Sequence, residues 1–369
     1  MSTALYTSPK LDGFRMPAEH EQQEQVWMAW PTREDNWREN GKHAQAEFVA
    51  VATAIAQATD VTFIVDAQHY DQARLALPSQ IRILEIPSDD CWMRDIGATY
   101  VVNDKGERRA NSWQFNAWGG DLDGLYDSWE QDNAVAEKMS AVTGDVVYKA
   151  PFILEGGSIH VDGEGTLFTT EECLLHPSRN PELSKEDIED FLKVYLNVTK
   201  IIWLKQGLYN DETNGHIDNI MHVIRPGVVA LTYCDDPSDP QYAISQDAFN
   251  VLSKTSDAKD RMLEIIKLPM PGPLFVSEEE AKNLAESPYM NRHVGERLAA
   301  SYANFLISNN RVVFPLLDER TDDQAKHILQ MAFPNHNVVS VATRNILLGG
   351  GNIHCITQQV PRKYSTKIV

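Results

Sequence analysis

The chain has 369 residues, of which 43% are hydrophobic and 23% charged, a composition typical of a folded globular protein rather than a disordered one. Its 33 basic and 53 acidic residues give a net charge of −20, which argues against a nucleic-acid partner and is compatible with a cationic substrate. The sequence has no apolar run near the roughly 18 residues of a membrane helix and no N-terminal pattern typical of a secretory signal, so we predict no membrane partner and a cytoplasmic location.

Alternating apolar segments interrupted by Gly, Asn or Asp turns recur along the chain, and this pattern predicts β-hairpins. The predicted hairpins cover residues 95–110, 158–170, 217–233 and 302–317. The same apolar pattern at residues 350–360 predicts a further strand, whose partner lies elsewhere in the sequence.

Helix-like stretches lie between these hairpins, at 43–58, 184–197 and 322–333. Ser184 begins the second stretch and Thr321 precedes the third, and both are predicted N-caps. Short apolar strands follow the three helices, at 61–65, 200–204 and 337–341. Residues 235–290, rich in Asp and Pro, fit this order poorly and are predicted to be long loops that are functional.

The repeating unit is therefore strand, strand, helix, strand, and it occurs about five times. Internal repetition of this kind favours stacked units, each covering the core of its neighbour, and uneven α/β units favour a closed ring over an open solenoid. The alternative is a two-domain α/β protein in which the likeness between hairpins is accidental. We predict one domain spanning 1–369.

A short motif, G-G-x-I-H, occurs at 156–160 and at 350–354, and residues 214–219 are a looser relative. Glycines at these positions allow close approach of the backbone at strand ends. If the repeats superpose around an axis, the polar residues beside the motifs meet at one centre. These residues are Asp95, Glu155, His216, Asp218 and Cys355. On a strand, His216 and Asp218 would face the same side, whereas on a helix they would diverge, so the proposal requires a strand there.

Cys355 has three possible interpretations: a buried thiol, a metal ligand or a nucleophile. The four cysteines are scattered without a CxxC pair, so neither a disulfide framework nor a zinc site is predicted. A thiolate beside a histidine is a nucleophile, but the several carboxylates would repel it and one another unless a cation neutralises them. A guanidinium group does so, because carboxylates bind its planar edges. The residues therefore predict a guanidine-modifying thiol hydrolase.

The sequence resembles the agmatine deiminases (agmatine iminohydrolases) of the guanidino-group-modifying, or pentein, superfamily. The matching stretches run from residue 12 to residue 361 and include "DDCWMRDIGATYVVN", "FNAWGG", "LEGGSIHVDGEGTLFTTEECLLHPSRNP", "ETNGHIDN" and "LGGGNIHCITQQVP". The resemblance implies a five-fold pseudosymmetric α/β propeller and a homo-oligomer. It also implies hydrolysis of agmatine to N-carbamoylputrescine and ammonia through a covalent amidino-cysteine, without a metal or organic cofactor.

The resemblance also implies a role for each residue of the predicted centre. Cys355 attacks the guanidinium carbon, His216 acts as acid and then as base, and Glu155 orients His216. Asp95 and Asp218 grip the guanidinium. His160 and His354 are expected to be structural, and Cys91, Cys173 and Cys234 inert.

Agmatine is favoured over arginine because acids and aromatics, rather than a basic group for an α-carboxylate, surround the motifs. Glu212 is predicted to meet the distal ammonium, and Trp92 and Trp118 to line the aliphatic stem or offer a cation–π face. Arg94 and Arg344 keep a carboxylate-binding alternative open. The other hypotheses are an arginine or peptidyl-arginine deiminase and a non-catalytic pentein that binds a partner.

Overall fold

The computed structural model describes residues 7–290 and 292–364 of the chain. The strands of this part are β1 (Gln23–Ala29), β2 (Asp60–Val65), β3 (Arg82–Glu85), β4 (Thr99–Val102), β5 (Arg108–Gln114), β6 (Val147–Ile153), β7 (His160–Val161), β8 (Thr166–Thr170), β9 (Lys200–Leu204), β10 (Met221–Arg225), β11 (Val228–Tyr233), β12 (Glu264–Pro269), β13 (Leu306–Ser308), β14 (Arg311–Leu316), β15 (Asn337–Ala342) and β16 (Gln358–Pro361). The helices are α1 (Lys42–Ile55), α2 (Tyr70–Ala76), α3 (Met93–Ile96), α4 (Gly120–Asp123), α5 (Glu130–Asn133), α6 (Val135–Thr143), α7 (Glu171–Leu174), α8 (Lys185–Leu196), α9 (Ile217–Ile220), α10 (Gln241–Leu252), α11 (Asp322–Ala332) and α12 (Arg344–Leu348).

The strands form five small sheets that share one topology, within a mixed α/β architecture. In four sheets an antiparallel hairpin is followed, after a helical connection, by a strand parallel to the second hairpin strand. In the fifth sheet, β1 has the same two kinds of neighbour, the antiparallel β16 and the parallel β2. The orders are β4-β5-β6, β7-β8-β9, β10-β11-β12, β13-β14-β15 and β16-β1-β2-β3. A parallel strand needs a long crossover, which explains the helix in every unit. The predicted strand-strand-helix-strand unit is confirmed.

The fifth sheet joins the two ends of the described chain. β16 pairs antiparallel with β1, so the partner of the predicted C-terminal strand is an N-terminal one. The prediction of a strand across 350–360 is wrong for most of its length, because turns occupy residues 353–356 and the strand begins at Gln358. Because Cys355 lies in these turns, its side chain does not lie on the face of a sheet.

The prediction of long loops over 235–290 is wrong for about a third of this region. α10 and β12 lie within it, and they supply the helix and the parallel strand of the fourth sheet. The Asp- and Pro-rich stretches that suggested loops flank these elements rather than replace them.

The apolar faces of the helices pack against the sheets, and the core lies between these layers. In α1, Phe48, Val51 and Ile55 are fully buried and belong to a large cluster with strands β1 and β2. Each such side chain contributes roughly 1.5–3 kcal/mol when buried. α8 begins with the predicted capping box of Ser184 and Asp187. Thr321 occupies the predicted N-cap position of α11, but its side chain makes no capping hydrogen bond within the described residues. The described residues contain no helix long and apolar enough for a membrane span.

Candidate active site

Gly157 marks the point where the predicted polar residues meet. A Cβ atom built on Gly157 would lie 2.6 Å from His216 Nδ1, 2.9 Å from Asp95 Oδ1 and 3.0 Å from Asp218 Oδ2. The backbone N–H of Gly157 also donates to Asp95 Oδ1 at 2.8 Å. Only glycine leaves room here, so the motif glycine is required by the site itself.

His216 and Asp218 come together, but not by the predicted means. The strand predicted across 217–233 begins only at β10, and Asp218 lies in the single-turn helix α9, for which His216 is the N-cap residue. His216 has extended backbone dihedrals while Asp218 is helical, so the change of conformation between them redirects the side chains toward Gly157. The strand prediction is wrong, and the predicted convergence of the two side chains is confirmed.

Glu155 lies between a buried arginine and His216. Arg179 Nε donates to Glu155 Oε1 at 2.6 Å, and Glu155 Oε2 lies 3.8 Å from His216 Nε2. Burial raises the pKa of Glu155, but Arg179 and His216 outweigh it and lower the pKa to about 2. Burial lowers the pKa of His216, yet Asp95, Cys173 and Glu155 raise it well above its usual value. The pair is therefore an imidazolium facing a carboxylate.

Cys355 lies at the end of the turn after the second glycine motif and is 6% exposed. Its Sγ is 3.7 Å from Asp218 Oδ2, and Asn304 Nδ2 donates to it at 3.1 Å. Burial, followed by the charges of Asp218 and Asp95, raises the pKa of Cys355 well above its ordinary value. The resting group is a neutral thiol.

His354 does not face the sulfur of its neighbour. Its Nδ1 is 2.7 Å from Asp218 Oδ2, and its Nε2 is 2.8 Å from Glu19 Oε2. Burial and Arg94 lower the pKa of His354, but Glu19 and Asp218 outweigh them, so that its pKa is raised. His354 thus forms ion pairs with two buried carboxylates, one of which belongs to the site.

The two tryptophans predicted to line the substrate both lie at the site, where they make different contacts. Trp118 Nε1 donates to Asp95 Oδ2 at 2.9 Å. Burial raises the pKa of Asp95 to about 6, and the neighbouring His216 opposes this shift. Trp92 packs against Gly351. A Cβ atom built on this glycine would lie 2.6 Å from the Trp92 ring and 3.1 Å from Cys355 Sγ.

Glu212 lies beside the glycine run at Gly350, with its charge already paired. Arg292 donates to both of its carboxylate oxygens, at 2.5 and 2.8 Å. A Cβ on Gly350 would overlap Glu212 Oε1, so the ion pair packs directly on the backbone five residues before Cys355. These residues line a cavity of about 160 Å³ together with Asp211 and Leu347.

Three residues of this centre were not predicted from the sequence: Glu19, Arg179 and Asn304. Arg179 and Glu19 lie in stretches that carry the family resemblance. A search of these stretches for charges opposite to those of Glu155 and His354 would have found them. Asn304 belongs to no motif, and only the tertiary structure shows its contact with Cys355. Of the predicted alternatives, Arg94 lies beside the centre, where it donates to Gln359 Oε1 and to the carbonyl oxygen of His354, whereas Arg344 pairs with Glu280.

Two groups of side chains in the described part bring three metal-ligand atoms within 4.8 Å of one another. One consists of His160, His222 and His354, and the other of Glu155, Cys173 and His216. In the first group both nitrogens of His354 are already hydrogen-bonded.

Comparison with known proteins places the chain in one family. Residues 15–361 match the model of the Porphyromonas-type peptidyl-arginine deiminases. A curated protein of Marinomonas sp. (strain MWYL1), named "Putative agmatine deiminase", is 83% identical over 100% of both chains. A second protein of the same name, from Photobacterium profundum, is 60% identical over 98% of this chain and 100% of its own.

Solved structures agree with these relatives. The agmatine deiminase of Enterococcus faecalis, described as catalysing its reaction, superposes with a TM-score of 0.96 at 45% identity, over 99% of this chain and 100% of the other. A cysteine-to-serine variant of the C. jejuni agmatine deiminase with substrate bound has a TM-score of 0.82 at 28% identity, over 95% and 97% of the two chains. The chain therefore belongs to the Porphyromonas-type peptidyl-arginine deiminase family. Within it, the resemblance to the agmatine deiminases of the pentein superfamily is confirmed.

Proposed function

We propose that this protein is an agmatine deiminase, a hydrolase that cleaves a C–N bond of the guanidinium group. The observation that carries the proposal is the position of the Cys355 thiol beside Asp218 and Asn304, in one buried centre with Asp95, His216 and Glu155. The names of the similar proteins, several of them agmatine deiminases, support the choice of substrate.

Asp95 and Asp218 bind the guanidinium group in this proposal. Gly157 N–H and Trp118 Nε1 fix the two oxygens of Asp95, and His354 fixes one oxygen of Asp218. Carboxylates held in this way bind a planar cation at its edges without further rearrangement. The positive charge of the bound substrate lowers the pKa of Cys355, so the thiol releases its proton to solvent and the thiolate forms in the complex.

The first half of the reaction removes ammonia. The sulfur of Cys355 forms a bond with the guanidinium carbon and gives a tetrahedral adduct. His216, protonated because of Asp95 and Glu155, donates its proton to one amino group. The C–N bond breaks, ammonia leaves, and a cationic amidino group remains on the sulfur.

The second half restores the enzyme. His216, now neutral, takes a proton from water while the water oxygen bonds to the amidino carbon. Collapse of this adduct breaks the C–S bond, and the hydroxyl proton returns to the sulfur as the thiol. The products are N-carbamoylputrescine and ammonia, which fits a step in putrescine synthesis. Protein groups carry every step of this scheme, without a metal or organic cofactor.

The five sheets, each with the same topology, support the finer proposal of a single catalytic domain. We propose that they surround the site as a five-fold pseudosymmetric α/β propeller. Asp95 and Asp218 lie in the short helices α3 and α9 just before the first strands of two different sheets, which is the placement that such an arrangement predicts. A homo-oligomer and a cytoplasmic location are part of the same proposal.

The test is turnover by the purified full-length protein. Agmatine should yield ammonia and a ureido product, and mass spectrometry of an acid-quenched reaction should find an amidino adduct on Cys355. Cys355→Ser should lose both signals with an unchanged circular dichroism spectrum, while Cys234→Ser, at a buried thiol outside the site, should keep both. Turnover of arginine or peptidyl-arginine but not of agmatine would refute the substrate, and absence of turnover and adduct would favour the non-catalytic alternative.

A further inference from the structure

Cys173 is a second buried thiol beside the catalytic histidine, and the reaction proposed above does not use it. It lies at the end of α7 and is fully buried. One ligand atom each from Glu155, Cys173 and His216 falls within 4.8 Å of the others. Within the described residues, Glu155 Oε2 and His216 Nε2 have no hydrogen-bond partner, although both are buried and lie 3.8 Å apart.

We propose that Glu155, Cys173 and His216 form a zinc site that inhibits the enzyme. Thiolate, imidazole and carboxylate are the ligands that Zn²⁺ prefers, and three protein ligands leave a fourth position for a small ligand. Binding of the metal is independent of the proposed function, whereas its effect on turnover rests on it.

The surroundings hold two of the ligands in place. Arg179 binds Glu155 Oε1 and leaves Oε2 free to face His216. Asp95 Oδ2 lies 3.9 Å from His216 Nδ1, the nitrogen on the other side of the ring. At this distance Asp95 makes no hydrogen bond to the ring, but its negative charge lies behind a ligating histidine, as carboxylates do in many zinc sites.

Occupation of this site blocks chemistry rather than substrate binding. His216 Nε2 is lost as an acid and base once it is bound to the metal, while Asp95 and Asp218 stay free to bind the guanidinium. Zinc should therefore lower kcat and leave the KM for agmatine within about twofold.

Cobalt binding to the full-length protein tests the site without turnover. Co²⁺ replaces Zn²⁺ and reports a thiolate ligand by a charge-transfer band in the near ultraviolet. The band should occur with the unsubstituted protein and with Cys355→Ser, and it should be absent with Cys173→Ser. A band that survives Cys173→Ser, or that disappears with Cys355→Ser, would overturn the proposal and assign the metal to the nucleophile instead.

A crystal of the unsubstituted protein soaked in zinc gives a second readout that does not depend on the folding of a variant. An anomalous peak within bonding distance of Cys173 Sγ and His216 Nε2 is expected. A peak on Cys355, or none at these three residues, would refute the site.

Inhibition completes the test. Cys173→Ser should require about tenfold more zinc or more for half-inhibition than Cys91→Ser, a matched change at another buried thiol. Equal sensitivity of the two variants would overturn the inhibitory role. Absence of agmatine turnover would count against the proposed function alone, since the cobalt band and the anomalous peak do not depend on it.

Discussion

The two copies of G-G-x-I-H share a sequence but not a structure. In the first copy, Gly156–Ser158 form a 3₁₀ turn directly after Glu155, and His160 begins strand β7. In the second, Gly350 has a φ of +107°, and the chain continues in turns through Cys355 before β16 begins. One copy thus presents the residue before it to the site, and the other the residue after it.

The two motif histidines differ as much as their surroundings. Burial, followed by the nearby His222 and His354, lowers the pKa of His160 well below its ordinary value, which leaves it neutral. His354 lies between Asp218 and Glu19 and is charged. The same motif position therefore carries a neutral ring in one copy and a counter-ion of the site in the other, and the tertiary partners alone make the difference.

The largest expected effect is that of a methyl group on the motif glycines. Gly157→Ala should lower kcat/KM by on the order of 10³-fold, because the added Cβ displaces His216, Asp95 and Asp218 together. Gly351→Ala should cost less, since its Cβ meets the Trp92 ring and Cys355 only.

The control for stability alone is Gly144→Ala, where φ is +69° but no atom lies within 4 Å of the new Cβ. It should lower the melting temperature and keep kcat/KM. Equal losses of activity for Gly144→Ala and Gly157→Ala would contradict the assigned role of Gly157.

The second prediction separates the two motif histidines. His354→Gln keeps a donor toward Asp218 but removes the charge, so kcat/KM for agmatine should fall roughly 10²-fold. His160→Gln, the matched change in the other copy, should affect the melting temperature more than turnover. Steady-state kinetics of both variants would show it, and similar kinetic losses would mean that His354 is only structural.

A smaller effect is expected at Glu212. If the distal ammonium replaces Arg292 on this carboxylate, Glu212→Gln should raise the KM for agmatine roughly 2- to 5-fold with little change in kcat. Glu280→Gln, which removes a similar pair with Arg344, is the control. An unchanged KM in Glu212→Gln would place the ammonium elsewhere.

The last prediction requires no substitution in the site. Since the pKa of Cys355 is raised, its alkylation should be slow at neutral pH and accelerate as the pH rises and the thiol ionises. A bound alkylguanidine should move this curve to lower pH, with alkylation located by peptide mass spectrometry. A thiolate already reactive at neutral pH without ligand would refute the neutral resting state.

The sequence allowed the repeating unit to be predicted because hairpins and capped helices follow from local patterns. Alternation, Asn/Asp/Gly turns and the Ser184 capping box act over a few residues, and all appear in the structure. Local signals failed where tertiary pairing decides. Residues 350–360 have the pattern of a strand but mostly lie outside one. α10 and β12 were not predicted, because Pro-rich stretches flank them.

The candidate site shows the same division. The sequence by itself determined which groups are present, since a thiol, a histidine and several acids beside glycine motifs call for a bound cation. Only the tertiary structure decided how each group is held and charged: Arg179 on Glu155, Asn304 on Cys355 and Arg292 on Glu212. The physical reason is that ionisation in a buried centre depends on burial and on charges within a few ångströms, and these neighbours come from distant parts of the chain.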